Sequence, residues 1–468
     1  MLLAGVIGIS LASYLKLSIT SLRAANRSFY ANSSVDYAEI GIERAMACFY
    51  SVSGGTAAAN AWTGWGLDTT TKVATRTFLS SSSSTTYPNP GPNITAAIRV
   101  YVRGYDFTGT PIIVSKASIT PSTPTDGPAI NKFVKVTLRP RSLFANGLVS
   151  RNTISWTGNP SADSWNSDPD NDTTTAAVAY STAAGVRAAN CTIGCVATAN
   201  GAIDLATGKV YGSVASGGGT VSGGSVISNS LTGTGIDPNC VSTDFSASFP
   251  TVATPTPTTV NTATDVSGTM TYPSLPAGGT AMNASDNTYY YNFGLGTNID
   301  INGGGKNIQI TAGNKVVFIM NNHSGVPAID IGGNAYLTVN AGASLTIYTN
   351  GNLTMAGNGV VNSNVQPSSC LIYGTRTTAG QTITVSGNGQ LKAAVYAPNA
   401  TVTANGGGSS GQIQGSIVAN SIVMHGGADF HYDEALRNLS AGAGVGVTEW
   451  RELQTATERN QYSTELDF

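Results

Sequence analysis

Residues 1–15 have the sequence MLLAGVIGISLASYL and contain no charged side chain. Farther along, residues 35–49 read VDYAEIGIERAMACF and place apolar side chains at steps of three and four, which is typical of an amphipathic helix. Gly54 is the first convincing helix stop. The sequence therefore predicts one long N-terminal helix over residues 1–52, with an apolar part at 1–22. The apolar part needs lipid or neighbouring helices around it, and the amphipathic part needs a globular domain on which to lie.

The composition restricts the class of protein. Only 10% of the 468 residues are charged, whereas 41% are hydrophobic, a combination that argues against disorder. The formal charge is −2 and there is no basic run, so we expect no nucleic-acid partner. Three His and five scattered Cys provide little material for a metal or redox centre, so no cofactor is expected. These features disfavour an intracellular metabolic enzyme.

The N-terminal stretch resembles the helix of mature type IV pilins and pseudopilins, and its second half resembles the AE-x-G-x-E-x-A segment of large PilX-like minor pilins. The matching positions are Ala38, Glu39, Gly41, Glu43 and Ala45. The resemblance implies a helix that assembles with other pilin subunits, placed in the inner membrane before an assembly machine extracts it.

Two further positions of this helix follow from the resemblance. It implies cleavage by a prepilin peptidase, with Met1 as the mature, methylated N-terminus. Gly5 stands where most major pilins have a Glu, a departure that resembles tip-type minor pseudopilins. Lys16 is the first charge of the predicted assembly helix. The alternative is a plain membrane anchor or an uncleaved signal-anchor.

Two kinds of β-structure are predicted after the helix. The segments 96–103, 111–119 and 131–140 are β-branched or alternating and bounded by Gly or Pro, which predicts a small antiparallel head over 53–143. From residue 144 to 440, short β-branched runs alternate with Gly- and Asn-rich turns, which favours the stacked coils of a parallel β-helix. The turn markers are Asn334, Asn358, Asn388, Gly406 and Gly426. A β-sandwich is the alternative for this body.

The end of this body resembles the closing segment of an uncharacterised β-helical domain found in PilX-like proteins. The matching residues are Tyr396-Ala397-Pro398-Asn399, Gly415 and His431-Tyr432-Asp433-Glu434. The resemblance implies no activity.

A Pro- and Thr-rich loop at 247–275 interrupts the body, and residues 441–468 form a C-terminal tail with a short helix or docking arm. Alternating Pro and Thr prefer an extended, exposed backbone. The loop is therefore either a linker between two solenoid sections or an O-glycosylated segment. The glycosylation candidates are Thr254, Thr256 and Thr258.

Candidate sites for chemistry are few. Asp168, Asp170 and Asp172 have a spacing that could supply oxygen ligands to Ca²⁺, although the stretch lacks the Gly and Glu of an EF-hand loop. His431, Asp433 and Glu434 could be drawn as an acid/base set, but adjacency in sequence does not create facing carboxylates. A structural cap explains these residues more simply.

Cys191 and Cys195 lie four positions apart around a Gly turn. In an oxidising periplasm this spacing predicts a small disulfide staple. Cys240 and Cys370 are left to pair or to stay buried, and Cys48 lies on the predicted helix.

Together these observations predict a mainly β protein with a long N-terminal α-helix, a small antiparallel sheet and a parallel β-helix. With the resemblance to type IV pilins, the predicted function is that of a non-enzymatic structural subunit of an extracellular type IV pilus-like filament, which polymerises through its helix and displays the β-helix outward. A tip-located minor pilin or adhesin that binds a surface or carbohydrate is the second interpretation. A polysaccharide-active enzyme is the third.

Overall fold

The fold is described from a computed structural model of the chain. The description covers residues 2–53, 58–80, 94–107, 110–121, 127–140, 142–170, 172, 175–274, 280–387, 390–406, 412–439 and 445–466. The chain forms two compact units, of which the first comprises Met1–Pro140 and Gly444–Phe468, and the second comprises Arg141–Ala443.

The first unit combines a long helix with an antiparallel sheet, as the sequence predicts. Its elements are α1 (Leu2–Ser53), α2 (Ala58–Ala61), β1 (Gly66–Asp68), β2 (Val73–Ser80), β3 (Ile94–Arg103), β4 (Ile112–Pro121), β5 (Ile130–Pro140), β30 (Val445–Glu452), α3 (Ala456–Asn460) and α4 (Ser463–Leu466). The strands of the sheet are ordered β1-β2-β3-β4-β5-β30.

The second half of α1 packs on this sheet through the predicted amphipathic stripe. Tyr37, Ala38, Ile42, Ala45 and Phe49 are all buried in one core with the apolar side chains of the strands. From Ala38 onward these residues follow one another at steps of three and four, which places them on one side of the helix. The stripe therefore fixes the C-terminal half of α1 to the sheet.

Gly41 lies where the helix closely approaches the sheet. A Cβ atom at this position would overlap Ser115 Oγ and would lie 2.8 Å from methyl carbons of Ile98 and Val100. By contrast, a Cβ atom at Gly8 of the same helix would meet no atom within 4 Å. Of these two helix glycines, Gly41 is therefore the one that close packing requires.

We expect Gly41→Ala to lower the free energy of unfolding of the first unit by about 1–3 kcal/mol, because the added methyl group overfills a packed contact. Gly8→Ala is the matched control, because it changes helix propensity in the same way at a position where the added methyl group meets no other atom within 4 Å. Chemical denaturation followed by circular dichroism compares the two variants. Equal stability of both variants would contradict the tight contact.

The predicted C-terminal tail takes part in this unit. Strand β30 pairs with β5, and Leu453 and Leu466 are buried against Val114 and Phe133 on the sheet. Thr455 caps the following α3 helix in a capping box. The C-terminal segment therefore adds β30 to the sheet as its sixth strand. The mixed charges of this segment do not predict a strand.

The second unit is a solenoid-like β domain with parallel strand pairing. The strands are β6 (Leu148–Gly158), β7 (Ser161–Trp165), β8 (Cys191–Cys195), β9 (Ile203–Asp204), β10 (Lys209–Ser216), β11 (Val226–Ser228), β12 (Gly235–Ile236), β13 (Val241–Ser242), β14 (Asn261–Thr262), β15 (Met270–Tyr272), β16 (Thr288–Asn292), β17 (Ile299–Ile301), β18 (Asn307–Ile310), β19 (Lys315–Met320), β20 (Pro327–Ile331), β21 (Tyr336–Val339), β22 (Ser344–Thr349), β23 (Asn352–Met355), β24 (Gly359–Asn362), β25 (Cys370–Gly374), β26 (Gln381–Gly387), β27 (Gln390–Gly406), β28 (Gln412–Gly426) and β29 (Asp429–Asp433), with 3-10 turns at Pro238–Cys240, Pro367–Ser369 and Glu434–Asn438.

The strands in the central part of this unit form three parallel ladders, because each strand pairs with the strand three positions later. One ladder contains β16, β19, β22 and β25. The other two contain β17, β20, β23 and β26, and β18, β21, β24 and β27. A β-sandwich would need antiparallel sheets, so these parallel ladders exclude that alternative for this region.

Stacking of equivalent side chains builds the core of this unit. Phe318, Ile347 and Ile372 are direct register partners in successive strands, and all three are buried. At the turns, the Asn358 side chain donates to the Asn334 carbonyl of the preceding coil at 3.3 Å. The predicted turn marker Asn388 lies outside the described residues.

The ladders do not follow the chain order. Strands β28 and β29, the last of the unit, pair with β6 and β7, the first of the unit. Strands β8 and β10 continue from β6 and β7 on the other side. The chain therefore forms the section from β6 to β13 first and then crosses to the far end of the unit. From there, β14 to β29 wind back toward β6 and β7.

The crossing segment is the Pro/Thr strap, residues 243–260, which joins β13 to β14. Phe245 N donates to the Ser216 carbonyl at 2.8 Å, and the Tyr396 hydroxyl donates to the Pro250 carbonyl at 2.7 Å. The strap therefore crosses several coils of the solenoid. Strands β14 and β15 lie within the predicted loop 247–275 and already join the ladders.

Candidate functional site

The N-terminal half of α1 exposes apolar side chains on all sides. Leu3 is 75% exposed, Ile9 71% and Leu17 68%. We call residues 3–22 the apolar helix half. A helix that is apolar all round is normally buried. Its exposed large side chains are Leu3, Val6, Ile7, Ile9, Leu11, Tyr14, Leu15, Leu17, Ile19 and Leu22.

The predicted assembly residues take different places along α1. Gly5 lies within the helix, Lys16 and Glu43 are exposed, and Glu39 is half-buried. Met1 lies outside the described residues. Within the part of the chain that the structure describes, each helix falls short of the length or apolar character needed to cross a membrane.

The predicted calcium ligands form a turn. The backbone N–H of Asp172 donates to Asp168 Oδ1 at 3.1 Å and to Asp170 Oδ1 at 3.2 Å. Among the described residues, no three His, Cys, Asp or Glu side chains are arranged to hold a metal ion. Calcium binding stays a prediction from the spacing alone.

A buried polar cluster lies instead around Asp163 of β7. His431 of β29 is its register partner, with Nδ1 2.6 Å from Asp163 Oδ1. The other carboxylate oxygen accepts hydrogen bonds from the Arg187 Nε at 2.5 Å and from the Tyr180 hydroxyl at 3.0 Å. The Tyr180 ring stacks on the His431 ring with 3.8 Å between centroids. Burial, together with Asp163, raises the pKa of Tyr180.

This cluster fastens the segment after β7 to the face of the sheet. Trp165 strengthens the attachment because its Nε1 donates to the Val178 carbonyl at 3.1 Å. The sequence marks His431 as part of the closing motif, but Tyr180 and Arg187 were missed because they lie in a segment without periodicity. Only the pairing of β7 with β29, over 268 positions of sequence, brings the carboxylate to the imidazole.

The other two carboxylates of the closing motif have structural partners. Asp433 is buried and accepts hydrogen bonds from Ser167 N at 3.0 Å, Ser167 Oγ at 2.7 Å and Ala435 N at 3.1 Å. Burial raises the pKa of its carboxyl group. Glu434 Oε1 accepts from Ser164 Oγ at 2.8 Å and from Asn190 Nδ2 at 3.0 Å. Both side chains connect the end of the solenoid to neighbouring segments.

The predicted disulfide between Cys191 and Cys195 is absent, and both are free thiols in β8. Because an extended strand advances about 3.3 Å per residue, their Cα atoms lie about 13 Å apart. A disulfide needs about 4.4–6.8 Å. The Gly between them continues the strand instead of turning it. Burial raises the pKa of the Cys191 thiol well above its usual range.

We expect Cys191 and Cys195 to resist alkylation in the folded protein and to react fully after unfolding without reductant, because both are buried and unpaired. Cys48, which is half-buried on α1, is the internal control and should react sooner. Peptide mass spectrometry measures each site. A peptide that carries both cysteines as a disulfide would restore the original prediction.

The three predicted glycosylation candidates differ in accessibility. Thr254 is half-buried and its hydroxyl accepts a hydrogen bond from the Asn321 amide. The Thr258 hydroxyl is exposed and lies 3.4 Å from Asn283 Oδ1. Thr256 is also exposed. Exposure therefore favours Thr256 and Thr258 over Thr254 as sites of modification.

Comparisons with known proteins give two similarities. A family model described as a domain of unknown function (DUF7305) matches residues 259–439. Among solved structures, the chain is similar to the competence-associated pilin ComZ from Thermus thermophilus, with a TM-score of 0.27 and 12% identity over 81% of this chain and 87% of that chain. No curated protein matches the sequence.

Proposed function

We propose that the protein is a structural subunit of an extracellular type IV pilus-like filament and that it polymerises through α1. The exposed apolar helix half carries this proposal. Burial of each Leu or Ile side chain is worth about 1.5–3 kcal/mol, and eight of the exposed side chains of the apolar helix half are Leu or Ile, which strongly favours association. Other copies of the same helix are the simplest partner, since each copy both needs and provides an apolar surface.

The construction of the first unit supports this role. The same continuous helix is anchored on the sheet by its C-terminal half and free of that core in its N-terminal half. The sequence resemblance at Ala38, Glu39, Gly41, Glu43 and Ala45 agrees with this division. A fixed globular unit with an apolar helical arm can join a helical polymer without refolding.

The remaining parts of the proposal follow from this role. Before assembly, the apolar helix half would reside at the inner membrane, from which an assembly machinery would extract it. The solenoid-like unit is interpreted as a parallel β-helix of structural purpose, with no catalytic function and no required cofactor. The hydrogen bonds of Asp433 and Glu434 support the structural interpretation.

A tip-located minor pilin that primes assembly or binds a surface or carbohydrate is the second candidate. The observation that favours it is Gly5, which replaces the Glu that most major pilins have. The two candidates differ in copy number, because a shaft subunit occurs throughout each filament and a tip subunit occurs only at its end.

Quantitative mass spectrometry of filaments sheared from the producing cells tests the proposal. We expect this chain to be the most abundant filament protein. A ratio of a few copies per filament would favour the tip candidate. Recovery of the chain only in the membrane fraction would contradict both and support a plain anchor.

A further inference from the structure

The charges of α1 differ between its two ends. The charges before Asp36 are all basic, at Lys16, Arg23 and Arg27, and acidic residues follow at Asp36, Glu39 and Glu43. Arg44 is the one basic residue among them and lies about 100° around the helix axis from Glu43. The four side chains of Lys16, Arg23, Asp36 and Glu43 are exposed. Within the described residues, none of the four forms an ion pair. Arg27 differs, because its guanidinium donates to the Pro128 carbonyl of its own chain at 3.4 Å.

These charges form two stripes on opposite sides of the helix. At about 100° per residue, Lys16 and Arg23 differ by about 20° in direction, and Asp36 and Glu43 differ by the same amount. Asp36 follows Lys16 by 20 residues, which turns its direction by about 200°. We call Lys16 and Arg23 the basic stripe, and Asp36 and Glu43 the acidic stripe.

Two exposed apolar side chains, Ile9 and Phe29, have the same spacing along α1 as the charged pairs. Ile9 precedes Lys16 by seven residues and therefore extends the basic stripe, whereas Phe29 precedes Asp36 by seven residues and extends the acidic stripe. Ile9 is 71% exposed and Phe29 is 63% exposed. The separation between them is again 20 residues.

We infer that neighbouring copies pack their α1 helices in parallel, with the basic stripe of one copy against the acidic stripe of the next and a stagger of about 30 Å, the rise of 20 residues. This stagger places Lys16 opposite Asp36 and Arg23 opposite Glu43 of the neighbour. It also places Ile9 opposite Phe29. The inference rests on the proposed function and adds the register of its interface.

The contact joins two different faces, so it is heterologous. Each added copy leaves one basic and one acidic stripe free for further copies, and such an interface generates an open helical filament when its rotation does not close a ring. A two-fold dimer would place each face against itself and would oppose like charges. Because exposed ion pairs contribute little energy, the charges select the register while the apolar helix half supplies the association energy.

Charge exchange tests the register in full-length protein, with filament yield after shearing as the readout. We expect Lys16→Glu and Asp36→Lys each to reduce the yield about fivefold or more, because each opposes like charges at every subunit contact. The double variant Lys16→Glu with Asp36→Lys should return the yield to within about twofold of wild type, since the pair has opposite charges again. Undiminished single variants, or a double variant without recovery, would overturn the register.

Cysteine cross-linking gives a second readout that does not depend on yield. Oxidation of filaments that carry Lys16→Cys and Asp36→Cys should produce covalent ladders of subunits. Lys16→Cys with Ala47→Cys is the matched control, because exposed Ala47 lies about 16 Å farther along the helix. Equal cross-linking of both pairs would overturn the register. Absence of wild-type filaments would instead overturn the proposed function itself.

Discussion

Leu11→Asp is expected to abolish filament formation. Leu11 is 58% exposed in the middle of the apolar helix half, where the proposed polymer would bury it against neighbouring helices. An unpaired carboxylate in that position costs several kcal/mol per subunit, which reduces association at every step by about a thousandfold or more. The yield of sheared filaments measures the effect.

Leu295→Asp is the matched control for this change. Leu295 is 84% exposed in the solenoid-like unit, so the same substitution adds the same charge outside the proposed interface. We expect normal filament yield for Leu295→Asp and unchanged thermal unfolding for both variants. Normal filaments from Leu11→Asp would refute assembly through this part of α1.

Asp163→Ala is expected to lower the free energy of unfolding of the solenoid-like unit by about 3–5 kcal/mol, because it leaves the charge of Arg187 without its buried partner. It also removes the hydrogen-bond acceptor of the Tyr180 hydroxyl and the partner of His431 Nδ1. Denaturant unfolding followed by tryptophan fluorescence measures the change. Trp165, two residues away in β7, reports on the same region.

Asp244→Ala is the control, since Asp244 is exposed on the Pro/Thr strap. Exposed substitutions of this kind change stability by about 0.5 kcal/mol or less. A similarly small effect at Asp163 would show that the cluster around it does not stabilise the fold. We expect filament formation by Asp163→Ala to fail only under conditions that unfold this unit.

Features that depend on local periodicity could be predicted from the sequence. The apolar stripe with Ala38, Ile42 and Ala45 specifies one face of a helix, and alternation in the following strands specifies an antiparallel sheet that covers it. Repeated short strands with Gly and Asn turns likewise predict stacked parallel strands. In each case the pattern that predicts the element lies within a short stretch of the sequence.

Features that depend on distant pairing could not be predicted. The pairing of β29 with β7, the passage of the Pro/Thr strap across coils and the addition of β30 to the sheet each join parts of the chain that share no local pattern. The disulfide prediction was wrong for a related reason. In the sequence, the Gly between Cys191 and Cys195 predicts a turn. In the structure, the pairing of β8 with β10 keeps this Gly in an extended strand.

The central claim is that copies of α1 form the core of a filament. Cryo-electron microscopy with helical reconstruction of sheared filaments tests it most directly, because the side-chain density identifies the chain. We predict a shaft whose core consists of parallel α1 helices, with residues 3–22 buried among the α1 helices of neighbouring copies. A shaft core built from a different chain, or filaments in which residues 3–22 of this chain lie exposed, would contradict the claim.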